Sequence, residues 1–175
     1  MIDEADVWDR FAALLPEADA HEVRVCWEIG EQEAGIDLLV GALHDHRVPI
    51  GEATRAEMSV IAETWGVRLN VAARLMECPG DGLPSPVELL PETAPLSNPG
   101  HIDSKLGDFL LIPWIRHTAS GRLLVRAHVE APWGDLSYIP EYYPVLASEQ
   151  GPSLHLFDSC SAREALEALL HPAQP

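Results

Sequence analysis

The sequence predicts an α+β protein, with an N-terminal helical bundle followed by a small antiparallel β-sheet and a C-terminal covering helix. Apolar residues recur at helical spacing up to about residue 77, and the spacing then changes to that of β-strands. A segment rich in proline separates the two patterns. We therefore divide the chain into an acidic helical part at 1–78, a Pro/Gly-rich linker or wrapping segment at 79–100, and a β-sheet part with its helix at 101–175.

The first part carries apolar stripes that predict four helices. The stripes are Val7, Phe11, Leu14 and Leu15; Val23, Cys26 and Trp27; Ile36, Leu39, Val40 and Leu43; and Met58, Ile61, Ala62 and Trp65. Pro16 ends the first helix, and Gly66 follows the last turn of the fourth. Residues 67–77 fit either a strand or a helix with Leu69, Ala72, Ala73 and Met76 on one face. We favour the helix.

The second part reads as strands. The runs 109–117 and 122–131 flank a predicted hairpin turn at 118–121, and Pro113 predicts that its strand is either an edge strand or bulged. Short apolar segments follow, at 136–139, 142–146 and 154–157. A final helix is expected at 161–170, with Ser159 or Ser161 as N-cap and a capping box from Ser161 to Glu164.

The segment between the two parts holds six prolines and three glycines in 22 residues. That density excludes a helix or a central strand, because proline lacks the N–H donor and restricts the residue before it. Four of its apolar residues predict that part of it packs on a neighbouring surface: Val87, Leu89, Leu90 and Leu96.

Charge narrows the class of partner. The 175 residues carry a formal charge of -17, and residues 1–78 alone hold 16 acidic against six basic side chains. Such a surface repels phosphate backbones and anionic lipid, so we expect no direct nucleic-acid or membrane partner and a basic protein as the partner. The acidic N-terminus, the absence of a long apolar run and the three unpatterned cysteines indicate a cytoplasmic protein.

The sequence shows no pattern typical of catalysis, metal binding or a cofactor. His44-Asp45-His46 is interpreted as a solvated helix end, and the other histidines lack metal-ligand spacing. The alternative function is a small hydrolase or transferase with a site between the two parts. Such an enzyme would use His117, His128 or Cys160, since catalytic residues often converge without a local motif.

Two groups of residues are candidates for partner binding. The acidic ridge consists of Glu28, Glu31 and Asp37, in which like charges recur along the expected helix. The aromatic-acidic cluster consists of Trp133, Asp135, Tyr138, Glu141 and Tyr142, and combines residue types that dominate interface hot spots. The competing interpretations are a solvated face for the ridge and core packing for the aromatic residues.

Residues 22–66 also resemble a known family. The step Glu28-Ile29-Gly30-Glu31 leads into the amphipathic helix of Ile36 to Leu43, and a second helix of Met58 to Trp65 follows Pro49-Ile50. This arrangement is similar to the small helical immunity proteins of bacterial polymorphic-toxin systems. The resemblance implies a cytoplasmic, immunity-like or antitoxin-like protein that binds and neutralises a toxin domain without catalysis.

Overall fold

The computed structural model of the protein describes residues 4–92, 94–97, 102–130, 132 and 134–171. The chain divides into two compact units, the helical unit at Met1–Leu83 and the sheet unit at Pro84–Pro175. The named elements in the described part of the helical unit are all helices, with one isolated bridge between Ile50 and Gly80, whereas the sheet unit combines an antiparallel sheet with a helix. This arrangement confirms the predicted α+β class.

The helical unit contains five helices within its described residues. They are α1 at Glu4–Ala12, α2 at Glu17–Glu28, α3 at Gln32–Asp45, α4 at Glu52–Thr64 and α5 at Arg68–Glu77. The structure confirms all four stripe-based helices and the helix favoured for 67–77. The stripe of α3 is buried as predicted, because Ile36, Leu39, Val40 and Leu43 recur on one side of that helix.

Two predicted apolar faces are wrong in detail. In α5 the predicted residues Leu69 and Met76 are 60% and 38% exposed, while Val71 and Leu75 are buried beside the guanidinium of Arg68. That burial is tolerated because the Nε of Arg68 lies 2.9 Å from a carboxylate oxygen of Glu63. Leu14 is also exposed, since α1 ends at Ala12 and the helical period no longer applies there.

Three helices of this unit end in the same hydrogen-bonded motif. After α4, Gly66 donates to the carbonyl of Glu63 and Val67 donates to that of Ala62, with Gly66 at φ +70°, as predicted for this glycine. Gly30 plays the same part after α2 at φ +84°. Arg47 takes the equivalent position after α3 at φ 51°, a left-handed conformation that strains a residue with a Cβ.

Arg55 ties α4 to the end of α5. Its buried guanidinium donates to the carbonyls of Leu75 and Cys78, the latter at 3.0 Å, and its Nε lies 2.9 Å from Glu52. Carbonyls at a helix C-terminus have no partner within the helix. One side chain therefore satisfies groups that burial would otherwise leave without hydrogen bonds.

The sheet unit contains five antiparallel strands in chain order. They are β1 at Val87–Leu89, β2 at Leu110–His117, β3 at Leu123–His128, β4 at Tyr142–Leu146 and β5 at Ser153–Asp158. The helix α6 at Ala162–Leu170 packs on β3, β4 and β5, as the prediction of a covering helix requires. Every residue of β3 is buried, so both faces of the sheet are covered at this strand.

The β2–β3 hairpin forms around residues 118–121 as predicted. Pro113 does not mark an edge strand, because β2 lies between β1 and β3. The other predicted outcome is the one observed, since the register shifts between Pro113 and Ile115 at a bulge. Residues 136–139 form no named strand, and within them only Leu136 makes an isolated bridge, to Glu130.

The predicted capping box at α6 does not form. Ser161 occupies the N-cap position, but its side chain makes no capping hydrogen bond. Its backbone lies at φ −115° and ψ 33°, outside the extended conformation that aims a serine hydroxyl at the first turn. The turn is held from the preceding strand, where Asp158 accepts the N–H of Cys160 through its side chain and that of Ser161 through its carbonyl.

Part of the proline-rich segment belongs to the sheet. Val87 and Leu89 in β1 are buried, and Leu90 and Leu96 pack against an apolar cluster on one face of the sheet. The buried residues of this cluster are Ile102, Leu106, Leu111, Leu123, Val125, Ala127 and Leu146. The packing predicted for these four apolar residues is therefore confirmed.

None of the helices in the described ranges combines the length and the apolar character that crossing a bilayer requires.

The Arg55 contacts predict a large stability effect. Arg55→Met should lower the free energy of unfolding by about 2–4 kcal/mol, because it leaves buried helix-end carbonyls without donors. The matched control is Arg10→Met, which removes a half-exposed ion pair to Glu57 and should cost less than about 1 kcal/mol. Urea unfolding of both variants measures the difference, and equal costs would contradict the assignment.

The strained end of α3 predicts a stabilising substitution. Arg47→Gly should raise the free energy of unfolding by about 0.5–1 kcal/mol, since glycine adopts positive φ without a steric penalty. Gly30→Ala should lower it by about 1 kcal/mol through the backbone alone, because a Cβ there would meet no atom within 4 Å. Thermal or urea unfolding that shows no gain for Arg47→Gly would refute the strain at this position.

Candidate functional site

The helical unit carries a groove between α2 and α3, with one side chain contributed by α5. It encloses about 340 Å3 and is referred to here as the acidic groove. Its lining residues are Asp19, Glu22, Asp37, Leu38, Gly41, Ala42, Asp45, His46 and Arg74. Four of these nine side chains are carboxylates, so the groove concentrates the negative charge of the unit.

The floor of the acidic groove comes from the exposed side of α3. Leu38, Gly41 and Ala42 recur there at i, i+3 and i+4, opposite the buried stripe of the same helix. Because Gly41 and Ala42 carry almost no side chain, they leave a hollow between α2 and α5. The floor is therefore small and apolar, while its rim is charged.

Polar contacts between side chains fix the rim of the acidic groove. The Nε2 of His46 lies 2.8 Å from Asp19, and Arg74 of α5 donates to Asp37 of α3. Glu22 and Asp45 are exposed at the same groove and add two further carboxylates. This arrangement can hold a cationic group by charge and hydrogen bonding, with apolar contact for its carbon chain.

The predicted acidic ridge is divided in the structure. Asp37 lines the acidic groove, whereas Glu28 is the last residue of α2 and Glu31 precedes α3, both exposed. The turn at Gly30 separates Glu28 from Glu31, so the expected continuous helix through both residues is wrong. Asp37 is neutralised by Arg74, a residue distant in sequence.

Sequence reasoning missed Asp19, Glu22, Asp45 and Arg74 of the acidic groove. A signal for three of them was present, because Asp19 and Glu22 are i,i+3 neighbours and Asp45 follows Leu38 by two helical turns. Arg74 gave no such signal, since only the packing of α3 on α5 brings it to Asp37.

A second surface lies in the β3–β4 connection, residues 129–141. Among the described residues of this connection, four large apolar side chains are exposed: Val129, Leu136, Tyr138 and Ile139, of which Tyr138 is 65% exposed. Ser137 holds the connection in shape, because its N–H donates to Val129 and its hydroxyl donates to the carbonyl of Ile139. Exposed apolar side chains on a hydrogen-bonded scaffold are typical of a contact surface.

The predicted aromatic-acidic cluster maps partly onto this connection. Asp135, Tyr138 and Glu141 are exposed, while Trp133 lies outside the described residues. Tyr142 is half-buried, and its ring meets that of Phe109 edge-on at a centroid distance of 5.5 Å. Tyr142 therefore contributes to the packing of the sheet unit as well as lying next to the exposed connection.

The candidate residues of the alternative enzyme lie in different environments. His117 contacts the hydroxyl of Ser120 in the β2–β3 turn, and buried His128 contacts the carbonyl of Ser137 at 2.8 Å. They stand at opposite ends of the β2–β3 hairpin, because Leu110 pairs with His128 and His117 ends β2. At about 3.3 Å per residue they are roughly 20 Å apart, too far to act on one atom.

Within the described residues, no three His, Cys, Asp or Glu side chains are grouped closely enough to hold a metal ion. The pairs of His44 with Asp45 and Glu77, at 3.1 and 3.2 Å, are ion-pair contacts at the end of α3. His44 therefore joins α3 to α5, so the interpretation of this segment as a merely solvated helix end is incomplete.

Comparison of the chain with protein-family models, with curated proteins and with solved structures gives no match.

The three cysteines predict an order of alkylation. Cys160 is exposed, Cys26 is half-buried and Cys78 is buried. Burial raises the pKa of the Cys78 thiol, against a smaller opposing effect of the Arg55 and Arg74 charges. Since the thiolate is the reactive form, iodoacetamide at pH 8 should label Cys160 first and Cys78 last.

Peptide mass spectrometry over time measures the labelling rate at each site. Urea-unfolded protein is the control, in which the three rates should converge. Fast labelling of Cys78 in the folded protein would contradict the buried position of this thiol.

Proposed function

We propose that the protein is a non-enzymatic binding module whose acidic groove receives a lysine or arginine side chain of a basic protein partner. The observation that carries this proposal is the groove itself, in which four carboxylates surround a small apolar floor. The aliphatic stem of a long basic side chain suits the floor, and its cationic head suits the rim.

The charge balance of the helical unit supports a basic partner. In the described structure, five of the six arginines of this unit pair with carboxylates of the same unit. The pairs are Arg10–Glu57, Arg24–Asp9, Arg55–Glu52, Arg68–Glu63 and Arg74–Asp37. The remaining carboxylates leave a strong negative field, which speeds association with a positively charged surface and disfavours acidic partners.

The size of the acidic groove fits side chains rather than a large ligand. Ligand pockets span about 300–1,000 Å3, and 340 Å3 is at the lower end of that range. A protein partner would therefore insert one or two side chains here and make its other contacts elsewhere. The β3–β4 connection offers apolar contacts of the kind that anchor interfaces, with Tyr138 as the largest exposed side chain among its described residues.

Among basic partners we propose a toxin domain, which makes the protein immunity-like or antitoxin-like. This finer proposal depends on the resemblance of residues 22–66 to helical immunity proteins. The groove supports it in one respect, because that segment supplies every groove residue except Asp19 and Arg74.

The test reverses one charge inside the acidic groove and one outside it. Glu22→Lys and Asp6→Lys change the net charge equally, but only Glu22 lines the groove, while Asp6 is exposed on α1. Each full-length protein is used to capture partners from a lysate of the source cells, and binding kinetics are measured on the recovered protein. We expect a basic partner whose affinity for Glu22→Lys falls by about tenfold or more, chiefly through faster dissociation, because this change removes a contact inside the groove.

Asp6→Lys should change the affinity by no more than about threefold, since long-range steering depends on net charge and only the groove makes contact. The affinity of the wild type should also fall steeply as salt is raised. A partner that binds both variants equally, or that carries an acidic surface, would refute the groove as its site.

A further inference from the structure

The sheet ends at β5 on an open edge. The strand order β1-β2-β3-β4-β5 gives β5 one neighbour, β4, within the described residues. Leu154, His155 and Asp158 of β5 are exposed, Leu154 to 45%, while the other three residues of the strand are half-buried. An exposed edge strand presents main-chain donors and acceptors to which another chain can hydrogen-bond.

The two edges of the sheet differ in their protection. β1 is three residues long, carries Glu88 at its centre and lies between Pro86 and Pro91. Short length, a central charge and flanking prolines are devices that prevent pairing at an edge. β5 has six residues, contains no proline or lysine and carries no charge before Asp158, and one proline, Pro152, precedes it. The β1 edge is therefore better protected against an added strand than the β5 edge.

The hydrogen-bond pattern shows which groups of β5 face outwards. Pro144 on β4 lies opposite Leu156 and has no N–H, so this is a non-hydrogen-bonded pair and the main-chain bonds are made by the residues on either side of it. These are the pairs Tyr143–Phe157 and Val145–His155, so Phe157 and His155 direct their main-chain groups to β4. The N–H and C=O of Leu156, which lies between them, thus point to the open side.

The charges around β5 indicate which kind of chain can pair with this edge. Glu149 in the β4–β5 turn, Asp158 at the end of β5 and Glu164 on α6 are exposed carboxylates beside the strand. A second copy of the chain would bring the same net charge of -17 to the contact and be repelled. A segment with lysine or arginine at alternate positions would meet these carboxylates while pairing its main chain.

We infer that β5 is a docking edge for an extended, basic segment of a partner protein, which adds to the sheet as a sixth strand. The inference rests on the proposed function in one respect, the basic character of the partner. It concerns a different unit and a different kind of contact from the acidic groove: the main chain of β5 supplies the hydrogen bonds, and neighbouring carboxylates supply the charge preference.

The experiment uses the full chain and a capped octapeptide of alternating lysine and valine. A control octapeptide has two of its valines replaced by proline, which keeps the charge and removes strand donors. Amide hydrogen exchange followed by NMR reports on each residue. We expect the alternating peptide to slow exchange at Leu156 by about tenfold or more, and the proline-containing peptide to leave it unchanged.

Two substitutions at one position separate main-chain from side-chain binding. Leu156→Pro removes the outward N–H while leaving the bonds to β4, and should weaken binding of the alternating peptide by about tenfold or more. Leu156→Val keeps the N–H in a residue that favours strands and should alter binding by no more than about twofold. If Leu156→Pro fails to fold, exchange in the wild-type protein decides the question.

Other outcomes overturn the inference. Protection confined to α2 and α3 would refute the β5 edge as a binding site and leave the acidic groove as the site of a basic partner. No protection in either unit would count against both proposals. Equal protection of β5 by the two peptides would show that charge alone attracts the peptides to this surface. Protection of β5 that grows with protein concentration in the absence of peptide would assign the edge to a second copy.

Discussion

The guanidinium of Arg55 fixes the position of α5, and the geometry of the acidic groove depends on that position. By donating to the carbonyls of Leu75 and Cys78 it holds the C-terminal turn of α5 against α4. The same turn carries Arg74, which contacts Asp37 on α3, and Glu77, which contacts His44. A buried side chain with no access to the groove therefore sets one of its walls.

Arginine has a comparable structural use in the sheet unit. Buried Arg126 donates to Glu92 at 2.8 Å and lies over the ring of Trp114, at 5.6 Å from its centroid. An arginine paired in this way neutralises its own partner and leaves the other carboxylates unpaired. The net charge of -17 follows from the number of charged residues, and the placement of the arginines decides which carboxylates remain to attract positive partners.

The sequence predicted the fold class, every helix of the helical unit and the β2–β3 hairpin, because these depend on local periodicity and turn residues. It erred where tertiary contacts override the pattern. Leu69 and Met76 look like a core stripe, but the pair of Arg68 with Glu63 allows α5 to bury a different face. Of the residues that line the acidic groove, the sequence pattern identified only Asp37. Arg74 could not be placed beside it, because the packing of α3 on α5 brings the two together.

The order of the strands bears on how the sheet unit forms during synthesis. Each strand from β2 onwards pairs with the strand that precedes it in the chain, so no strand must wait for a distant segment. The helical unit is complete before β1 leaves the ribosome, and the sheet can then grow one hairpin at a time. Until β5 emerges, β4 is the growing edge, with Pro144 as its one residue that lacks a main-chain donor. The nascent chain therefore exposes its apolar edge only briefly, and a truncation before residue 153 would make that exposure permanent.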